Sequence, residues 1–170
     1  MKEKTVKLMN EQINKELFSG YLYLSFANYF VEQGLMGFAN WYTIQAQEER
    51  DHAMMILNYL QTNGEPVVLE AIEKPENSWA DALTVLKEGL AHEKFITDSI
   101  NVIYDAASKD KDYRTVQFLN WFVTEQGEEE ENAQELIQKY QLFAKDSVGL
   151  YLLNQELAGR VYTAPAVAAD

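Results

Sequence analysis

Four long stretches of this sequence have the apolar periodicity of an α-helix, and each is interrupted by a polar side chain near its middle. Residues 4–33, 37–63, 78–108 and 113–140 contain none of the 3 prolines of the chain. Apolar residues recur in them at the three- and four-residue steps that place side chains on one helix face. The pattern predicts an all-α protein built on four long helices.

The connections between these stretches predict how the helices are arranged. Residues 34–37 form a short link, which makes the first two helices antiparallel neighbours. Residues 64–77, which include Pro66 and Pro75, would span ~45 Å when extended, slightly more than the ~40 Å length of the second helix. The third helix can therefore run parallel to the second. The predicted fold is a four-helix bundle over residues 4–141 with one long crossover.

The ends of the predicted elements carry further signals. Ser78, with Asp81 three residues on, is the predicted N-cap of the third helix. Residues 146–158 form a short amphipathic fifth helix, and residues 161–170 a loosely ordered tail of the same single domain, 1–170. The fifth helix is too small to form a core of its own. We expect it to bury its leucines against another subunit: Leu150, Leu152, Leu153 and Leu157.

Composition excludes several classes of function. With 0 cysteines the chain has no disulfides and no thiolate site for zinc or an iron–sulfur cluster. Its net charge of −13 disfavours nucleic acid and anionic membranes as partners. No segment is apolar over the ~18 residues that a membrane span needs, and the first residues lack the apolar core of a signal peptide. We expect a soluble, cytoplasmic protein.

The inward face of each long helix is interrupted by an acid or an amide close to its midpoint. Midpoints of helices of equal length lie at one level of a bundle, so these side chains should meet in one cross-section. Carboxylates crowded into an apolar interior repel one another unless cations hold them apart, and oxygen-rich ligands with one imidazole suit iron, manganese or zinc. The sequence therefore predicts a pair of metal ions at Glu16, Glu49, His52, Glu93, Gln126 and Glu129.

The spacing of these residues suggests how two ions would be shared. Glu49 and His52 stand three residues apart on one helix face, so one cation can contact both. We assign Glu16, Glu49 and His52 to the first ion, and Glu49, as the bridge, with Glu93 to the second. Gln126 and Glu129 close the second site, where a di-metal bundle can carry another Glu-x-x-His pair. With fewer nitrogen ligands, the second ion should exchange more easily.

The whole chain resembles a non-haem ferritin of the prokaryotic type. The resemblance covers the four helices, the crossover, the short fifth helix and the motif Glu125-Gln-Gly-Glu-Glu129. It implies that Glu16, Glu49, His52, Glu93 and Gln126 form a di-iron ferroxidase centre with Tyr23 and Trp121 beside it. It also implies an adjacent third iron site made by Glu48, Glu125, Glu128 and Glu129.

The same resemblance implies a function and an assembly. We expect a homo-oligomeric, hollow shell of 24 subunits that oxidises iron(II) with oxygen or peroxide and stores the ferric mineral inside. Haem is not expected, because Arg50 stands where haem-binding relatives place a methionine.

Other interpretations of these residues remain open. The polar layer can be a metal-free carboxylate–histidine network, Tyr23 a packing tyrosine, and Glu128 part of a solvated face. His92 suits a surface or interface position better than a ligand role. Among functions, a di-iron peroxidase or oxidase that retains its metals is the alternative within the di-metal class. A helical structural shell with a degenerate centre is the alternative outside it.

Overall fold

The computed structural model of the chain describes residues 1–165, which hold five α-helices and no β-strand. Each of the four long helices begins and ends within a few residues of its predicted position. Among the described residues, no helix combines the length and apolar composition needed to cross a membrane. The helices are α1 (Glu3–Glu32), α2 (Met36–Thr62), α3 (Ala82–Lys109), α4 (Tyr113–Phe143) and α5 (Ser147–Ala158).

The start of α3 lies later than the sequence suggested, so the assignment of Ser78 as its N-cap was wrong. Asp81 is the N-cap: its backbone is extended and its carboxylate accepts a hydrogen bond of 2.7 Å from the Thr84 amide. The Ser78 amide instead donates to Glu76 Oε1 at 2.9 Å, in a turn outside the helix. The crossover therefore continues to residue 81.

The crossover lies along the outside of α1. Asn10 bonds to it twice, since its Nδ2 donates to the Pro66 carbonyl at 3.0 Å and its Oδ1 accepts from the Val68 amide at 2.6 Å. Farther along, Ser25 donates to the Glu76 carbonyl and accepts from Trp79 Nε1. These contacts fix a long extended segment that has no secondary structure of its own.

Two apolar clusters fill the bundle, one on each side of its middle. The first, here the Phe30 cluster, joins the second half of α1, the first halves of α2 and α3 and the last turns of α4. The second, here the Ile56 cluster, joins the opposite ends of the same four helices. This pairing of halves makes α2 and α3 parallel, and it leaves the middle of each helix between the two clusters.

The packing of the helices is uneven around the bundle. α1 packs closely against α2, α3 against α4 and α1 against α3, whereas the backbones of α2 and α4 stay farther apart. Long side chains cross this wider gap, as where the rings of Tyr59 and Phe118 stack at 4.0 Å. The gap between α2 and α4 is therefore where large polar side chains can reach one another.

The fifth helix packs differently from the expectation that its leucines face another subunit. Leu153 and Leu157 are buried in the Phe30 cluster of the same chain, and Leu150 packs against it. Only Leu152 points away, with 61% of its surface exposed. One face of α5 packs against an apolar surface of the bundle beside the start of α2.

A glycine allows α5 to pack this closely against α2. A Cβ atom added at Gly37 would lie 1.7 Å from the Asn154 carbonyl oxygen, so α5 approaches the backbone of α2 directly. The Gly37 amide donates to Asn154 Oδ1 at 2.7 Å, which ties the two helices together. Of the predicted tail 161–170, residues 166–170 lie outside the described residues.

We predict that Gly37→Ala lowers the midpoint of thermal unfolding, because the new methyl group must push α5 off α2 at a cost of about 1–3 kcal/mol. The matched control is Gly127→Ala in α4, where an added Cβ meets nothing within 4 Å. That change should raise stability by roughly 0.5–1 kcal/mol, because alanine favours a helix interior over glycine. Equal effects of the two substitutions would contradict the close approach of α5.

Candidate metal centre

The polar side chains predicted to meet at mid-bundle do lie there, between the two apolar clusters. α1 and α3 each contribute one of them, and α2 and α4 two each, all pointing inward. Their exposed fractions are only 1% to 5%, so water reaches none of them freely. The layer consists of Glu16, Glu49, His52, Glu93, Gln126 and Glu129.

One half of this layer has the geometry of an open cation site. Glu16, Glu49 and His52 each offer a ligand atom, and these atoms lie within 4.8 Å of one another. His52 Nδ1 is 3.6 Å from Glu49 Oε2. Among the described residues, both oxygens of Glu49 and Oε2 of Glu16 are buried without a hydrogen-bond partner.

Unpartnered buried oxygens are costly, because each has lost water without gaining a donor. Three such oxygens beside one imidazole form the donor set that a divalent transition-metal ion accepts. The residues present in this half therefore fit a metal.

The other half of the layer is held by hydrogen bonds. Glu93 accepts from the Tyr23 hydroxyl at Oε1 and from Gln126 Nε2 at Oε2, the latter at 3.1 Å. Glu129 Oε2 accepts from Gln45 Nε2 at 2.7 Å. Two of the carboxylates assigned to a second ion, Glu93 and Glu129, are thus kept in place by neutral donors.

Burial and mutual repulsion raise the pKa values of these carboxyls. Burial raises the pKa of Glu49 well above its usual value, and the charges of Glu93 and Glu16 raise it further. Burial and the charge of Glu129 raise the pKa of Glu93 to about 8, although Tyr23 and Gln126 donate hydrogen bonds to it. The layer therefore holds protons at neutral pH or needs cations in their place.

The residues that the resemblance assigned to a third site do not all converge. Glu125 Oε1 lies 3.9 Å from His52 Nε2 and its side chain is half-buried, whereas Glu128 is exposed on α4. Glu48 is half-buried on α2 and its Oε2 accepts a hydrogen bond of 2.7 Å from Arg160 Nη2. In this structure, an arginine already neutralises one acid of the group.

Aromatic side chains surround the layer. The rings of Trp121 and His52 meet edge to face at 5.4 Å. The buried hydroxyl of Tyr23 has a pKa raised first by burial and then by the charge of Glu93. His92 is half-buried between α1 and α3, with Nε2 2.7 Å from Ser19 Oγ, and burial lowers its pKa to about 4.

Three residues at this centre were not singled out from the sequence. Gln12 Nε2 donates to Glu16 Oε1 at 2.8 Å, and Gln45 holds Glu129. A signal for both was present, because each glutamine stands four residues before an inward glutamate and so shares its helix face. No comparable signal marks Arg160, which reaches Glu48 across 112 residues.

Comparison with known proteins places these features in one family. Residues 6–143 match the ferritin family, described as a ferritin-like domain. A bacterial non-heme ferritin of Campylobacter jejuni is 38% identical over 155 residues, which are 91% of this chain and 93% of that protein. One of Staphylococcus saprophyticus is 38% identical over 154 residues, covering 91% of this chain and 92% of its own.

Solved structures agree with the sequence comparison. An open-pore ferritin from the hyperthermophilic archaeon Archaeoglobus fulgidus superposes with a TM-score of 0.92 at 40% identity, over 95% of this chain and 98% of that one. An engineered closed form of the Archaeoglobus fulgidus ferritin gives a TM-score of 0.93 at 40% identity, over 96% and 99%.

We predict that Glu93→Gln stabilises the metal-free protein at high pH and has much less effect at low pH. A carboxyl whose folded-state pKa exceeds its unfolded value destabilises the fold as pH rises from the unfolded to the folded value. For Glu93 this window runs from 4.5 to about 8. At about 1.4 kcal/mol per pKa unit, the gain in the free energy of unfolding should reach a few kcal/mol above the window.

The measurement is urea unfolding of chelator-treated protein at about pH 5 and about pH 9. Glu131→Gln serves as the control, because it removes one charge from an exposed position on α4. A gain from Glu93→Gln that is the same at both pH values would show that burial of the Glu93 charge does not destabilise this layer.

Proposed function

Because this chain belongs to the ferritin family, we propose that it oxidises iron(II) at the buried polar layer of its bundle. Its function is iron storage with ferroxidase activity. The proposal concerns which residues carry out the reaction, how many ions bind and where the product goes. The observation that carries it is the group of unpartnered oxygens of Glu16 and Glu49 beside His52.

The first iron(II) ion binds where ligands are free. Oε2 of Glu16, an oxygen of Glu49 and Nδ1 of His52 need give up no hydrogen bond to reach it. Gln12 restrains Oε1 of Glu16 and so leaves the other oxygen to the metal. Binding replaces a proton of the carboxyl layer with a cation, so iron uptake releases protons.

The second iron(II) ion binds between Glu49 and Glu93, with Gln126 and Glu129 at the edge of its site. Glu93 must exchange the hydrogen bonds from Tyr23 and Gln126 for the ion. This exchange makes the second site weaker than the first, and a weaker site releases its product more readily. A store needs that release, because the site must be used again.

Two iron(II) ions bound side by side in the layer are the electron donors of the reaction. Two iron(II) ions give up one electron each, which reduces oxygen with two protons to hydrogen peroxide, or hydrogen peroxide with two protons to two molecules of water. The protein contributes by placing both ions within ~3.5–4 Å of one another, so that two electrons are available together. The buried Tyr23 hydroxyl donates a hydrogen bond to Glu93, so it lies close enough to the second ion to take part in the oxidation of iron.

The ferric product then leaves for a mineral in the interior of a shell of 24 identical subunits in the cytoplasm, without haem. Glu48, Glu125, Glu128 and Glu129 are the acids that we assign to a third iron, although Glu48 pairs with Arg160 and Glu128 is exposed in this structure. The net charge of −13 per chain suits a surface on which ferric ions collect.

We predict that Glu49→Ala/His52→Ala slows aerobic iron(II) oxidation at least tenfold, because it removes the bridge and the imidazole ligand together. Excess iron(II) is added, oxidation is followed by absorbance, and iron is quantified in fractions from size-exclusion chromatography. In the unsubstituted protein, iron far in excess of two per chain should co-elute with a large particle. Glu131→Ala, an exposed control on α4, should behave like the unsubstituted protein.

Two results would contradict this proposal. If the protein elutes as a small oligomer with at most two irons per chain, it is a di-iron oxidase or peroxidase that retains its metals. If the double variant oxidises iron as fast as the parent, oxidation occurs elsewhere on the molecule.

A further inference from the structure

Arg160 connects the end of the chain to the acids beside the metal centre. It follows α5 and turns back onto α2, where Nη2 donates to Glu48 Oε2 at 2.7 Å. Nη1 donates to the Trp41 carbonyl at 3.4 Å, and the guanidinium carbon lies 4.1 Å from the centre of the Trp41 ring. The side chains of Arg160 and Glu48 are only 18% and 17% exposed. This is a partly buried ion pair stacked on Trp41 rather than a loose surface contact.

Glu48 is one residue from Glu49 and belongs to the acids around the centre. Burial raises its pKa, the charges of Arg160 and His52 oppose that effect, and the charge of Glu125 adds to it. Burial also raises the pKa of Glu129, and the charge of Arg160 is one of the smaller effects that oppose this rise. One fixed positive charge thus acts on two of the acids assigned to a third ion.

We propose that Arg160 is the resident counter-cation of Glu48, which fills the place of a third metal ion and must move away before that ion can bind. This inference rests on the proposed function, because it takes Glu48 as a ligand of a third iron. A guanidinium keeps its charge at every accessible pH, so it competes with a metal for the same carboxylate and repels it. Arg160 then sets whether the centre holds two ions or three.

The backbone of this segment does not depend on the ion pair. The Arg160 carbonyl accepts from Asn40 Nδ2 at 3.0 Å, and the Tyr162 hydroxyl donates to Asp51 Oδ2. Leu157, three residues earlier, is buried in the Phe30 cluster. The side chain of Arg160 can therefore leave Glu48 while its backbone stays on α2.

The structure also offers the guanidinium another position. Arg160 and Trp41 line a cavity of about 260 Å³ between α2, α4 and α5, which the side chains of Glu135 and Glu156 also line. Both of these glutamates contact Lys139, at 3.0 Å and 2.8 Å. A guanidinium displaced from Glu48 thus remains close to two other carboxylates.

The test counts metal ions in the assembled, iron-free protein with zinc(II), which binds similar ligands without being oxidised. Isothermal titration calorimetry gives the number of ions per chain and their affinities for the parent, Arg160→Gln and Arg160→Lys. Arg50→Gln is the matched control, because it removes an exposed arginine charge from α2 that lies near Asp51 and does not contact Glu48. Circular dichroism and elution volume check that each variant folds and assembles.

We expect Arg160→Gln to bind a third zinc(II) about tenfold more tightly than the parent, while the two tighter sites keep their affinities. Arg160→Lys should fall between them, because lysine keeps the charge but loses the planar fork and the stacking on Trp41. Arg50→Gln should match the parent. Adding Glu48→Gln to Arg160→Gln should abolish the third site.

The possible results separate this inference from the proposed function. If the parent binds two ions and Arg160→Gln neither adds nor tightens a third, the inference is wrong while the di-metal centre stands. If Arg160→Gln weakens the third ion, Arg160 supports that site rather than competes for it, which also overturns the inference. If the parent binds no ion tightly but Arg160→Gln binds one that requires Glu48, the inference stands and the di-metal assignment fails.

Discussion

The rest of this structure depends on the burial of four glutamates in one cross-section of a helical bundle. An ionised carboxylate in an apolar interior costs several kcal/mol unless it is paired, hydrogen-bonded or bound to metal. Two apolar clusters, one at each end, hold the bundle together around this unfavourable layer. Because α2 and α4 stay farther apart than the other neighbours, the layer has room for long side chains and for what they bind.

The cost of burying these carboxylates is offset differently in the two halves of the layer. Amide and hydroxyl donors satisfy Glu93 and Glu129, whereas the oxygens of Glu49 have no donor among the described residues. Neutral donors thus satisfy the carboxylates of one half, whereas the free oxygens of the other half fit one cation. The two halves are therefore unequal in their hydrogen bonding, and on the proposed function this inequality gives the two ions an order of binding.

The four helices and the level of the polar layer followed from the sequence, because a helix has one strong period and a fixed rise per residue. Glu16 and Glu93 were predictable as partners of Glu49 for that reason. Local rules were less reliable at the ends of helices. Serine and aspartate are both common N-cap residues, so Ser78 and Asp81 were both possible. Asp81 is the N-cap because the crossover extends as far as residue 81.

Contacts between distant parts of the chain had no such signal. The leucines of α5 were recognisably apolar, but their sequence does not say whether the apolar surface that covers them belongs to the same subunit. The structure shows that the surface belongs to the same subunit. Gly37 has no side chain, so α5 can pack directly on the backbone of α2. Once α5 is seated there, the residue that follows Gly159 is brought beside Glu48. The position of this short helix thus determines that the positive charge of Arg160 lies against Glu48, beside the metal centre.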